Sequence, residues 1–142
     1  RAAEVLADHP QIRAEVRSPR DESPLMLAAL RGQDALVVKL VSKGAAVNKS
    51  GWTPLHYAAT GGHVRIAAFL IGAHADVNAE SPNGTTPLMM AAMYSSSDMV
   101  KLLLESGAEA YPRNDLDLSA EDFAVKAGRV DSVRLIRQVL QR

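Results

Sequence analysis

Four histidines, His9, His56, His63 and His74, are the side chains best suited to hold a metal or move a proton at neutral pH. Their spacing argues against both roles. A zinc-dependent hydrolase places two imidazoles four residues apart on one helix with a glutamate beside the first, and no His-Glu-x-x-His occurs. Three of the four instead recur at fixed places of a repeated pattern, and Met26 and Met89 stand where His56 does in the flanking copies, which suits no catalytic base. No Gly-x-Ser-x-Gly elbow appears, and Gly84-Thr85-Thr86-Pro87 leads into a helix without the lysine of a phosphate-binding loop. With no cysteine there is neither a disulfide framework nor a thiolate ligand, a composition compatible with cytosol or periplasm alike. The sequence therefore predicts no catalytic residue, no metal and no cofactor.

The elements that carry these residues are written as an echo. Ser23-Pro24-Leu25-Met26 returns as Thr53-Pro54-Leu55-His56, Thr86-Pro87-Leu88-Met89 and a worn Ser119-Ala120-Glu121-Asp122, at intervals of 30, 33 and 33 residues. Such a period marks stacked units that borrow their core from one another. In the copy from Trp52 to Asn78, Thr53 can cap a helix and Pro54 suits its first position. Leu55, Ala58 and Ala59 give that helix an apolar face, and Gly61-Gly62 stops it. A second helix follows through Val64, Ile66, Ala67, Phe69, Leu70 and Ile71. Asp76-Val77-Asn78 then opens an extended excursion that returns through Pro82-Asn83-Gly84, a hairpin-like finger.

Gly51-Trp-Thr-Pro-Leu-His-Tyr-Ala-Ala-Thr-Gly-Gly-His63 with Leu70-Ile-Gly-Ala-His-Ala-Asp-Val-Asn-Ala79, and Gly84-Thr-Thr-Pro-Leu-Met-Met-Ala-Ala92 with Leu103-Leu-Glu-Ser-Gly-Ala108, resemble the ankyrin repeat. With Ser23-Pro-Leu-Met-Leu-Ala-Ala29 and Gly44-Ala-Ala-Val-Asn48 the resemblance covers about residues 18–142, and more narrowly it is to small bacterial ankyrin proteins, many of them exported. It implies an all-α solenoid of stacked helix-turn-helix units with projecting β-hairpin-like fingers. The units would be a partial N-terminal repeat over 1–22, repeats over 23–52, 53–85 and 86–118, and a C-terminal capping repeat over 119–142. By the same resemblance His56 hydrogen-bonds the neighbouring finger and its threonine.

Departures from the pattern carry the rest of the information. Four residues separate Asn48 from Thr53 where seven separate Asn78 from Thr86, so one finger is three residues short and should leave a notch. The turn after each second helix wants φ > 0, supplied by Gly44 and Gly107 but by His74 in between. Ser95-Ser96-Ser97 replaces Gly-Gly-His, so that helix must end without glycine, the next should be capped by serine, and the corner should be loose. Residues 2–7 look like a second helix lacking its first, and a chain that opens on Arg1 reads as an excised or processed piece. Val130, Val133, Ile136 and Leu140 give the last helix an apolar face, while Arg129, Arg134, Arg137, Gln138, Gln141 and Arg142 give it a solvated one.

A partner surface follows from the resemblance, which places binding on the fingers and the first helices. Matching positions are Glu22, Trp52, Thr85 and Leu118 before the helices, and Leu30-Arg31, Thr60-Gly61, Met93-Tyr94 and Lys126-Ala127 at their ends. Glu80, Ser81, Asn83, Arg113, Asn114 and Asp115 lie on the fingers. The expected protein-binding set is Arg31, Trp52, Thr60, Glu80, Asn83, Thr85, Met93, Tyr94, Arg113 and Asp115, with Trp52, Met93, Tyr94 and Arg31 as anchors. Sixteen basic residues balance sixteen acidic ones, so no global field draws in nucleic acid or anionic lipid. No apolar run approaches the roughly 20 residues of a membrane span. The expectation is a monomeric protein-interaction module, alternatively a regulatory or targeting region of a larger protein or enzyme.

Overall fold

The computed structural model describes residues 22–142, so the helix expected over 2–7 lies outside the described residues. Among the described residues eight helices run in pairs: α1 (Pro24–Arg31) with α2 (Asp34–Ser42), α3 (Pro54–Gly61) with α4 (Val64–Gly72), α5 (Pro87–Tyr94) with α6 (Ser97–Glu105), and α7 (Ala120–Lys126) with α8 (Val130–Leu140). Each first helix starts because its cap residue closes a reciprocal pair of bonds. Ser23, Thr53, Thr86 and Ser119 accept the amide three residues on at 3.2–3.3 Å. Their own amides bond back to Met26 Sδ, His56 Nδ1, Met89 Sδ and Asp122 Oδ2. Proline at the first helical position adds a fixed φ in three of the four.

Small residues set the spacing of the stack. Ala28, Ala29, Ala58, Ala59, Ala91 and Ala92 are wholly buried, which lets successive first helices pack closely, while Leu25, Leu55 and Leu88 join Leu40, Leu70 and Leu103 in one core running the length of the array. Burying each leucine stabilises by about 1.5–3 kcal/mol. Because the core is shared, no helix pair can keep its apolar faces dry alone.

Turns differ by repeat in a way that follows chemistry. Gly32 and Gly62 close α1 and α3 in the left-handed region at φ 73° and 75°. At the glycine-free corner Ser95 is extended and Ser96 accepts the Met99 amide to cap α6. Ser95 is buried against Gly62, so that corner is filled. After the second helices Gly44, His74 and Gly107 take φ of 93°, 73° and 99°. His74→Gly should raise stability by about 0.5–1 kcal/mol, since a left-handed non-glycine backbone costs about 1–2 kcal/mol against a smaller entropy loss in the unfolded chain; a lower melting temperature would contradict it.

The fingers are turns, and among the described residues the only β-type pairing outside helices is a lone bridge, Arg113 to Ser119. Ser81 N–H donates to the Thr85 carbonyl and, 33 residues on, Asn114 N–H donates to that of Leu118. The short finger has no room for this turn. Instead the Lys49 ammonium donates to the Ser50 and Trp52 carbonyls, both at 2.8 Å. Asn48 and Asn78 then tie pair to pair, each donating to a carbonyl (His74, Gly107) and accepting an amide (Asp76, Glu109) of the next turn.

The last helix departs from expectation at two places. Val130, which begins its helix, is 69% exposed, whereas Val64 at the matching place is half-buried against the core. Arg129 is half-buried, its Nε donating to the Met93 carbonyl at 3.1 Å, where a helix end leaves acceptors unsatisfied. Arg134 and Arg137 do face solvent, paired with Asp131 and Glu121. Glu121 stands where the other units carry Leu25, Leu55 and Leu88, which makes this end of the stack polar.

Candidate partner-binding surface

Trp52 emerges directly from the shortened finger, and its ring stands edge-on to His56, with centroids 5.0 Å apart and planes at 74°. Beside it opens a cleft of about 250 Å³ lined by Glu22, Leu30, Trp52, Tyr57, Thr60 and Met90. The shortened finger contributes Trp52 to its lining, and the first helices contribute Leu30, Tyr57, Thr60 and Met90. Tyr57 and Met90 share one register of the first helices with Leu27 and Phe123. Neither was among the expected partner residues; the third place after each proline is where a sequence search could have found them. Tyr57 O–H donates to Glu22 Oε2 at 2.7 Å across the mouth of the cleft.

Of the remaining expected residues, Arg31 and Tyr94 end α1 and α5 in solvent, Tyr94 at 56% exposure, and Met93 is half-buried. Thr60 lines the cleft, with its hydroxyl donating to the His56 carbonyl. Glu80, Arg113 and Asp115 are exposed on the fingers, where Arg113 pairs with Asp122 and Asp117.

Thr85 requires a correction. It is 3% exposed, its hydroxyl donating to Asn83 and accepting from Asn114 Nδ2, so its side chain offers nothing to a partner. Asn83 is half spent in the same network, its side chain accepting from Ser81 and Thr85 and its carbonyl from Asp115 N–H. Ser81 and Asn114 are likewise buried. Fingers need internal bonds to stay folded as turns, and these polar residues supply them.

Two of the histidines have structural work. His56 Nδ1 accepts the Thr53 amide and Nε2–H donates to the Thr85 carbonyl at 2.8 Å, an arrangement that requires the neutral ring. Burial first, and the nearby Lys49 charge, bring its pKa down to about 4. His63 Nε2–H donates to the Leu30 carbonyl at 2.9 Å, the part that Arg129 plays for Met93. Asp122 is held below the usual carboxylate range, chiefly by the Ser119 amide. Among the described residues no three His, Asp or Glu side chains converge as metal ligands, and no helix is long and apolar enough to cross a membrane.

A family model described as ankyrin repeats (3 copies) matches residues 2–81 and 69–139. The chain belongs to the ankyrin-repeat family. Among ankyrin-repeat relatives, a putative ankyrin repeat-containing protein of Treponema pallidum is 32% identical over 115 residues, covering 78% of this chain and 39% of that protein. The ankyrin repeat and SAM domain-containing protein 6 of Rattus norvegicus is 42% identical over 145 residues, 94% of this chain and 16% of that one. The NF-kappa-B inhibitor cactus of Drosophila melanogaster is 34% identical over 115 residues, 77% of this chain and 23% of that protein. The ankyrin chain thus spans well under half the length of each.

Proposed function

We propose that this chain is a protein-binding module that acts as a monomer and grips its partner along the face made by the first helices and the fingers, without catalysis, nucleic acid or membrane insertion. The observation that carries the reading is the cleft beside Trp52, continued along the same row of helix ends by Met93 and Tyr94. Trp and Tyr anchors held by a rigid scaffold give much contact area for little lost entropy. A relative named as an inhibitor of NF-kappa-B supports a protein as the partner class. Because the chain covers only 39%, 16% and 23% of these relatives, a regulatory or targeting region of a larger protein is the second reading.

Affinity capture from the source organism, run side by side with the native chain and with the Trp52→Ala/Tyr94→Ala double variant, tests it. A partner held through this face should be depleted roughly ten-fold or more on the variant, the loss of two anchors worth about 1 kcal/mol or more each. Circular dichroism should stay native, since both side chains lie outside the shared core. Equal capture by the two proteins would remove this face as the binding site.

A further inference from the structure

Ser132 contradicts its place in the repeat. It stands third in α8, where Leu36 stands in α2, Ile66 in α4 and Met99 in α6, and those three are buried apolar side chains. Ser132 is as buried as they are, at 1% exposure, and its hydroxyl has no hydrogen-bond partner among the described residues. A hydroxyl withdrawn from water without a partner destabilises the fold that holds it, so such a group marks a place where a ligand, an ion or a water completes the bonding. Ser132 lines a hollow of about 360 Å³, together with Ser97, Gly128, Arg129, Val130 and Asp131.

The hollow opens at the start of α8, a helix of 11 residues whose cap residue, Arg129, offers the first-turn amides no side-chain acceptor; at the start of α6 Ser96 does so. The amides of Val130, Asp131 and Ser132 precede the first bonded turn, in which the Val133 amide donates to the Arg129 carbonyl, and they carry the positive end of the helix dipole. Arg129 adds a full charge. Its Nε donates to the Met93 carbonyl, which holds the guanidinium beside the hollow, and its terminal N–H groups have no partner among the described residues. One group opposes: the Asp131 carboxylate, engaged by Arg134 at 3.2 Å. Helix-start amides, a guanidinium and a buried hydroxyl are the donors that meet an oxyanion.

We infer that this hollow binds a phosphate-sized oxyanion through the amides of Val130, Asp131 and Ser132, the Ser132 hydroxyl and the Arg129 guanidinium. The ligand class is phosphate, free or carried as a monoester. None of these residues lines the cleft beside Trp52, so the site is separate from the partner-binding face and stands or falls independently of it.

Titration of the ¹⁵N-labelled chain with sodium phosphate at pH 7.5, with ionic strength held constant by chloride, tests the site residue by residue. The amide resonances of Val130, Asp131 and Ser132 should move along a saturating curve in the millimolar range. Those of Val64, Arg65 and Ile66 should stay in place, since α4 also starts without a side-chain cap but carries isoleucine where α8 has serine. Ser132→Ala should weaken binding roughly five-fold or more, equivalent to about 1 kcal/mol, and should raise the melting temperature in phosphate-free buffer by removing the unpaired hydroxyl. Arg129→Gln, which removes the charge and keeps an N–H donor for the Met93 carbonyl, should weaken binding by at least as much. Asp131→Asn should tighten it. The same titration with O-phosphoserine amide separates the two sources: the inference stands whether the site takes the monoester as well or the free ion alone. No saturating shift at the start of α8, an equal shift at the start of α4, or unchanged affinity in either Ser132→Ala or Arg129→Gln would each overturn it.

Discussion

Acidification from pH 7 to pH 4 will cost the fold about 3 kcal/mol through His56 alone, and His56→Met will cancel that part of the loss. The ring titrates at about 4 in the folded protein against 6.5 unfolded. Between those values the unfolded chain binds the proton and the native one does not, so stability is complete above pH 6.5 and falls as pH drops toward 4. The cause is geometric as well as dielectric. A proton on Nδ1 would expel the Thr53 amide from its acceptor while Nε2–H stays committed to Thr85. Methionine already performs the Nδ1 duty in Met26 and Met89, whose sulfur atoms accept the cap amides at 3.4 Å. His56→Met should therefore lose the Thr85 bond, about 0.5–1.5 kcal/mol at pH 7, and gain a flatter pH profile. Thr85 keeps the Ser81 amide on its carbonyl in either case. Urea unfolding of both proteins at pH 7, 5.5 and 4 measures the difference, and the curves should cross; parallel losses would refute the assigned ring state. Since other carboxylates and histidines are common to both, the comparison isolates one side chain.

What made the fold legible was local punctuation. Ser23, Thr53, Thr86 and Ser119 act on amides three residues away, and Gly62 or Ser96 decide a turn within their own backbone, so type and spacing suffice to find them. The three-residue deficit beside Trp52 was legible for the same reason. What escaped were bonds between units. Arg129 looks solvated on a helical wheel, yet its partner is the Met93 carbonyl 36 residues earlier. Thr85 looks like a fingertip contact until Asn114, 29 residues on, is seen to close over it. Tyr57 and Met90 enter the cleft only through the register in which neighbouring helices stack. Pattern along the chain gives the period but not which carbonyl is left without a donor at each junction.

Gly61→Ala should destabilise the protein by about 1–3 kcal/mol, against the usual gain of about 0.5–1 kcal/mol for removing a helical glycine. A Cβ there would lie 2.6 Å from the Leu30 carbonyl oxygen and 2.8 Å from the His63 ring. His63 leans over this glycine to reach the Leu30 carbonyl, so helix, ring and acceptor close on one point. The third unit escapes the constraint because its partner residue differs: two residues after Tyr94 stands Ser96, which carries no ring. Gly72→Ala is the matched control, since nothing lies within 4 Å of a Cβ there and its φ is ordinary; it should stabilise by about 0.5–1 kcal/mol. Thermal melts of the two variants should move in opposite directions. A stabilised Gly61→Ala would mean that the junction between the first two helix pairs is looser than the His63 bond implies.

The replacement of a finger turn by one lysine side chain also gives the array an uneven stiffness. Fingers around Asn83 and Asp115 are joined by a backbone amide and carbonyl at 2.8 Å, whereas the short finger is held from within by the Lys49 ammonium. In the short finger a salt-screened charge on a flexible four-carbon stem stands in for a backbone-bonded turn. Trp52 sits on that finger and Glu80 on the next one. A ligand that holds both is also a load on the short finger, so grip strength and the shape of that finger become one mechanical quantity.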